Sequence, residues 1–181
     1  MSGLPHPLLE GVIKLAHAAG DAILPFWRAG VEVTAKADDS PVTAADLAAH
    51  HILLDGLTAL DPSIPVLSEE DANIAQSVRA GWTRWWLVDP LDGTKEFLHQ
   101  RPEFTINLSL VDGAETVFAV LAVPGEQSAY FCPEQGMPLK LDMKSGQWLE
   151  YYPAQAEPRV QVGLSQSSQN KPQYAEYLDD L

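Results

Sequence analysis

Two carboxylates stand three residues apart in the run Trp86-Leu87-Val88-Asp89-Pro90-Leu91-Asp92-Gly93-Thr94-Lys95-Glu96-Phe97. Acids held side by side repel by about 4 kcal/mol at about 4 Å with an effective dielectric near 20. A cation between them turns that cost into attraction. The run holds no cysteine or histidine, so the donors are hard oxygens, which suit magnesium or a relative and not zinc. Gly93 lets the backbone approach a phosphate closely, amides at a helix start there would bind its oxygens, and the Thr94 hydroxyl can orient a water. The same composition also makes an ordinary turn, so the chemistry needs support from elsewhere in the chain.

That support has to come from the elements that carry other acids. The apolar residues before Asp89 predict a buried strand that stops at the first acid, with a proline turn bringing Asp92 back beside it. A short strand at 64–68 also ends in acid, at Glu69-Glu70-Asp71. By itself such a charge run is more often a solvated face than a ligand set. Thr43-Ala44-Ala45-Asp46 matches a capping box opening a helix with Leu47, Leu54, Leu57 and Leu60, which ends at Asp61-Pro62. Asp46 is by default a capping residue. Carboxylates at the ends of adjacent elements converge in layered α/β proteins. Three or more would suit two divalent ions about 3.5–4 Å apart, the arrangement used for phosphate-ester hydrolysis. His50 and His51 lack metal-ligand spacing and receive no role, and Trp82, Trp85 and Trp86 read as packing.

The remaining chain supplies scaffold. Residues 8–29 show helical periodicity, weakened by Gly20 and Pro25. A strand is expected at 31–37, a loop at 38–41 and a polar connection at 72–83. An antiparallel meander is expected over 104–111, 116–123 and 128–132, then short strands and loops over 133–158. A strand at 159–164 and a helix opening at Asn170-Lys171-Pro172 close the pattern. A length of 181 residues suffices for one domain with a sizeable core or two small lobes. The net charge of -14 argues against a nucleic-acid partner, while a small phosphorylated substrate is admissible if metal ions supply positive charge locally. The single cysteine, Cys132, allows no intramolecular disulfide and fits a reducing cytosol. No signal peptide and no apolar run of about 18 residues is evident, so no transmembrane segment is expected.

Taken together, Trp86-Leu87-Val88-Asp89-Pro90-Leu91-Asp92-Gly93-Thr94 closely resembles the signature of the magnesium-dependent, lithium-sensitive inositol monophosphatase superfamily. Within it the chain is most similar to the CysQ-type 3′(2′),5′-bisphosphate nucleotidases. Lys36-Ala37-Asp38-Asp39-Ser40-Pro41-Val42-Thr43-Ala44-Ala45-Asp46, Val66-Leu67-Ser68-Glu69-Glu70-Asp71 and Lys95-Glu96-Phe97 favour that branch. The resemblance implies an α+β fold, the layered α-β-α-β-α sandwich, represented here mainly by its N-terminal part. It implies hydrolysis of adenosine 3′,5′-bisphosphate to AMP and phosphate, a clean-up step of sulfate assimilation, with two or three Mg2+ ions per complete site. By the family pattern Glu69, Asp89, Asp92 and the Leu91 carbonyl hold metal. Glu69, Leu91, Asp92, Gly93 and Thr94 meet substrate; Thr94 and Asp46 are catalytic, positioning the water and accepting its proton. Asp46 can alternatively ligate a further, weaker metal.

The family pattern continues into a second layer with a Trp-Asp pair that completes the metal site, and no such pair follows here. The expected division is a metal-binding α+β domain over 1–158 and the start of a truncated C-terminal α/β domain over 159–181. Three expectations compete: the nucleotidase, an inositol or sugar monophosphatase, and a catalytically silent domain. The last would self-associate through the apolar face left by a missing layer. The expected location is the cytoplasm, or the cytoplasmic side of the inner membrane as a peripheral protein.

Overall fold

The computed structural model describes residues 8–29, 33–35, 41–71, 73–133 and 137–150. The elements expected at 159–164 and from 170 onward, and with them the proposed second domain, lie outside the described residues.

Helix α1 spans Leu9–Ala29, and its buried Leu9, Val12, Ala16, Ala19 and Ile23 recur at the spacing of one helical face. Pro25 lies inside the helix without ending it. Strands β1 (Val33–Ala35) and β2 (Pro41–Thr43) pair antiparallel, and α2 (Ala44–Leu60) begins at the next residue. Of the strand expected at 31–37, the described residues 33–35 are β1; Pro41, expected in the loop, belongs to β2, and the rest of both lies outside the described residues. In α2, Ala45, Ala49, Leu53 and Leu57 form a buried stripe at intervals of four. Helices α1 and α2 pack tightly enough that a Cβ on Gly56 would meet Leu15 Cδ2 at 2.1 Å.

Strand β3 (Val66–Ser68) leads into a one-turn 3-10 helix, Glu69–Asp71. The connection that reads as merely polar contains a short helix, α3 (Gln76–Arg79), before β4 (Arg84–Asp92). Then come α4 (Thr94–Leu98), β5 (Thr105–Asp112), β6 (Glu115–Val123), β7 (Ser128–Pro133), β8 (Leu139–Asp142) and β9 (Gln147–Glu150). Strands β3 to β9 form one seven-stranded sheet in chain order; β3 runs parallel to β4 and every later neighbour is antiparallel. The chain is α+β, with α1 and α2 laid on one face of the sheet.

Pleat alternation sorts the strands into two faces. Toward the helices stand the rows Trp86–Leu110–Phe118 and Val88–Leu108–Val120–Phe131. Their rings meet edge-on, Trp86 to Phe118 at 5.5 Å between centroids. On the other face, Asp89, Asn107, Leu121, Tyr130, Lys140 and Leu149 form one row across the sheet.

The strand expected to stop at Asp89 instead runs to Asp92. Asp89 opposes Asn107 and Asp92 opposes Thr105, so β4 spends one residue more than β5 between these pairs. This is a β-bulge. In a regular strand two residues three apart face opposite sides; the extra residue brings Asp89 and Asp92 to the same side. Pro90 lies within the bulge and beyond the last β3 pair, where its missing N–H removes no ladder bond.

Candidate metal and phosphate site

At the shared ends of β3 and β4 the backbone places three acids together. Glu69 follows the last paired residue of β3, Asp89 sits one residue past the matching position of β4, and the bulge returns Asp92 to their side. Asp89 is half-buried. Burial, the Glu69 charge and the Asp92 charge, in that order, raise its carboxyl from 3.8 to about 7. The Leu91 N–H, donating to Asp89 Oδ1 at 3.2 Å, opposes that rise, and a hydrogen bond with the Glu69 side chain favours it.

Asp92 is held from β5. Asn107 Nδ2 donates to Asp92 Oδ2 at 3.3 Å and to Thr105 Oγ1 at 3.1 Å, linking the two sides of the bulge. The Thr94 hydroxyl donates to the Leu91 carbonyl at 3.3 Å, not to Asp46, which leaves its oxygen lone pairs to accept from a water. Gly93 caps α4 in the left-handed conformation, φ 87°. A Cβ there would stand 2.9 Å from the Glu103 carbonyl, so both conformation and space demand glycine. Asp46, 2 % exposed, lies in the first turn of α2; β2, immediately before it, packs on α4, and α2 packs on the Glu69–Asp71 turn. The backbone thus brings Glu69, Asp89, Leu91, Asp92, Gly93 and Thr94 to one end of the sheet, with Asp46 on the neighbouring helix α2.

An open cleft of about 400 Å³ runs along this edge, lined by Glu69, Asp89, Asn107, Ser109 and Arg79 among others. Arg79 and Asn107 carry no role in the sequence pattern. Asn107 was detectable as a polar residue on the alternating strand Thr105–Asp112, but its partner depends on strand register. Arg79 lay in a stretch without periodicity.

Among the described residues, no group of three or more His, Cys, Asp and Glu side chains is closed tightly enough to hold a metal ion as it stands. The donor chemistry nevertheless fits a hard divalent cation: three carboxylates and a main-chain carbonyl, with like charges raising the proton affinity of Asp89.

The inositol monophosphatase family model matches residues 4–170, and the chain belongs to that family. Its fold matches the structure of CysQ from Bacteroides thetaiotaomicron with TM-score 0.69 at 30% identity, covering 94% of this chain and 66% of that one. An inositol monophosphatase structure from Thermotoga maritima matches with TM-score 0.66 at 26% identity, over 75% and 51% of the two chains. In sequence the chain is similar to the 3′(2′),5′-bisphosphate nucleotidase CysQ of Salmonella typhimurium, 50% identical over 129 residues. The Escherichia coli K12 protein of that name is 47% identical over 129 residues. Either alignment covers 70% of this chain and 52% of the relative, so the chain spans about half the length of the curated relatives it matches. The family is metal-dependent. No helix among the described residues is long and apolar enough to cross a membrane.

Proposed function

We propose that the carboxylates at the ends of β3 and β4 hold two or three magnesium ions and serve a phosphomonoesterase acting on adenosine 3′,5′-bisphosphate. The products are AMP and inorganic phosphate, in a clean-up step of sulfate assimilation in the cytoplasm. Residues 1–158 form its metal-bearing unit and 159–181 begin a second unit. Water oxygen bonds to phosphorus, the bond from phosphorus to the ribose 3′ oxygen breaks, and the ribose oxygen takes up a proton.

The observation that carries this reading is the convergence of Glu69, Asp89 and Asp92, two of them brought to one side by the bulge. Glu69, Asp89, Asp92 and the Leu91 carbonyl would hold the ions. Bound magnesium supplies positive charge to the phosphoryl oxygens and acidifies water. Glu69, Leu91 and Asp92 also face the substrate. Gly93 and the first amides of α4 receive phosphate oxygens, because the first bond of α4, Phe97 N–H to Gly93 carbonyl at 2.9 Å, leaves them without intrahelical partners. Thr94 accepts from and so orients the attacking water, and Asp46 takes its proton. The Arg79 guanidinium in the cleft wall suits the second phosphate of a bisphosphate.

The test is phosphate release by the purified chain with magnesium, comparing adenosine 3′,5′-bisphosphate with inositol 1-phosphate. Preference for the bisphosphate supports the reading; equal or better turnover of inositol 1-phosphate transfers the site to the monophosphatases. A second reading is favoured by the open sheet face, where Leu87, Leu121 and Leu149 are 47%, 39% and 49% exposed. In it the chain is catalytically silent and self-associates through that face. Sedimentation of a non-associating chain that releases phosphate would refute it.

A further inference from the structure

The proposed chemistry has no use for His50, yet His50 is buried. It is 6% exposed on α2, one helical turn beyond Asp46 and on the same buried side. Its Nδ1 shares a 2.9 Å hydrogen bond with Ser68 Oγ, and Ser68 is itself 3% exposed. Ser68 is the last paired residue of β3, opposite Val88, and Glu69 follows it directly. The next residue of β4 is Asp89. One side-chain bond therefore ties the helix to the strand exactly one residue short of the acids on both strands.

Burial gives this bond its leverage. Both groups are almost wholly buried, so breaking the bond leaves a polar atom with little access to another partner. Strand β3 is only three residues long and, among the described residues, has one strand neighbour, β4. Its ladder alone gives weak control over where its last residue sits. Helix α2 has 17 residues, packs on α1, β3 and β4, and is a far more rigid reference. A tie from α2 to Ser68 transmits that rigidity to the backbone of Glu69. The ring of His51, 5.3 Å from that of His50, flanks it on the same helix.

We propose that His50 is a positioning residue for the cation site: through Ser68 it fixes the end of β3 so that Glu69 is presented toward Asp89 and Asp92. The proposal rests on the reading of those three acids as a divalent-cation site. His50 touches neither ion nor substrate. It acts as the outer-shell partners of metal ligands do, by restricting the positions a ligand can take.

The experiment pairs magnesium titration by calorimetry with amide hydrogen exchange of the metal-free chain at Ser68 to Asp71. His50→Ala is expected to weaken magnesium binding by about 10-fold and to speed exchange at these amides. His50→Asn, whose amide places a hydrogen-bonding atom near the Nδ1 position, is expected to bring affinity back to within about threefold of the parent. Ser68→Ala should lose as much as His50→Ala, and the double variant no more than either, because both cut one bond. Unchanged affinity in a folded His50→Ala chain, or additive losses in the double variant, overturns the proposal. A parent chain that binds no divalent ion overturns the cation reading instead. The exchange measurement then decides the positioning role: unchanged protection at Glu69 in His50→Ala refutes it, and faster exchange restored by His50→Asn supports it. If His50→Ala does not fold, Ser68→Ala carries the same comparison.

Discussion

The two faces of the seven-stranded sheet are built from alternate residues of the same strands, and they are held together by opposite means. Toward the helices, Trp86, Leu108, Leu110, Phe118, Val120 and Phe131 are almost wholly buried in one apolar core shared with α1 and α2. On the other face, Asp89 and Asp92 lie among Thr105, Asn107 and Ser109, and Leu87, Leu121 and Leu149 remain exposed. The first face stabilises the fold through burial. The second gathers charges that disfavour one another, and relies on the first to keep them in place.

Breaking the buried face should have the largest effect on stability. Phe118→Ala removes a ring packed against both Trp86 and Phe131 and should cost about 3–5 kcal/mol in denaturant unfolding. Asp89→Asn and Asp92→Asn should do the reverse. Each removes a charge from the proposed cation site, so magnesium affinity and phosphate release should fall by about two orders of magnitude or more, while the metal-free melting temperature holds or rises. A melting temperature that falls as far as in Phe118→Ala would erase the distinction between the faces. Gly93→Ala tests the join between them. The left-handed φ and the approach to the Glu103 carbonyl should together cost about 2 kcal/mol, read by thermal unfolding.

A smaller effect follows from the charge on the open face. In the metal-free chain burial, then Glu69, then Asp92 raise the Asp89 carboxyl to about 7 from 3.8. The folded state therefore holds a proton that the unfolded chain gives up at lower pH. This contribution to stability is fully present below about pH 4 and is lost as the pH rises to about 7. Melting of chelator-treated protein should drop across that window, modestly because the group is half open to water. Asp89→Asn should flatten that component; an unchanged slope would show that the acids do not converge in solution. Smallest of all, Leu87→Thr should change stability by no more than about 0.5 kcal/mol while lowering any concentration-dependent association seen by light scattering.

Part of the scaffold was legible because its signals are local. The apolar stripe of α1 and the alternation of β5, β6 and β7 follow from side-chain periodicity alone. In α2 the leucines mislead: Leu47 and Leu60 are exposed, and the buried face is Ala45, Ala49, Leu53 and Leu57. Strand β2 was hidden by the proline that opens it, and α3 is too short to show a period. The central strand runs past its expected end for a physical reason. Pro90, Asp92 and Gly93 are turn residues by propensity, but inside a bulge the proline costs no ladder bond and the strand continues. The meeting of Glu69 with Asp89 and Asp92 could be anticipated from acids at element ends. The Asn107 bond to Asp92 and the His50 bond to Ser68 could not, because each joins residues 15 or more positions apart through a register that no local pattern records.

The bulge also turns the distance between the two aspartates into a counting rule. Delete one residue between them, or insert one, and Asp92 rotates to the helix side of the sheet, while Gly93 loses its place against Glu103. The spacer Pro90-Leu91 is thus fixed in length by register, as its burial fixes Leu91 as apolar.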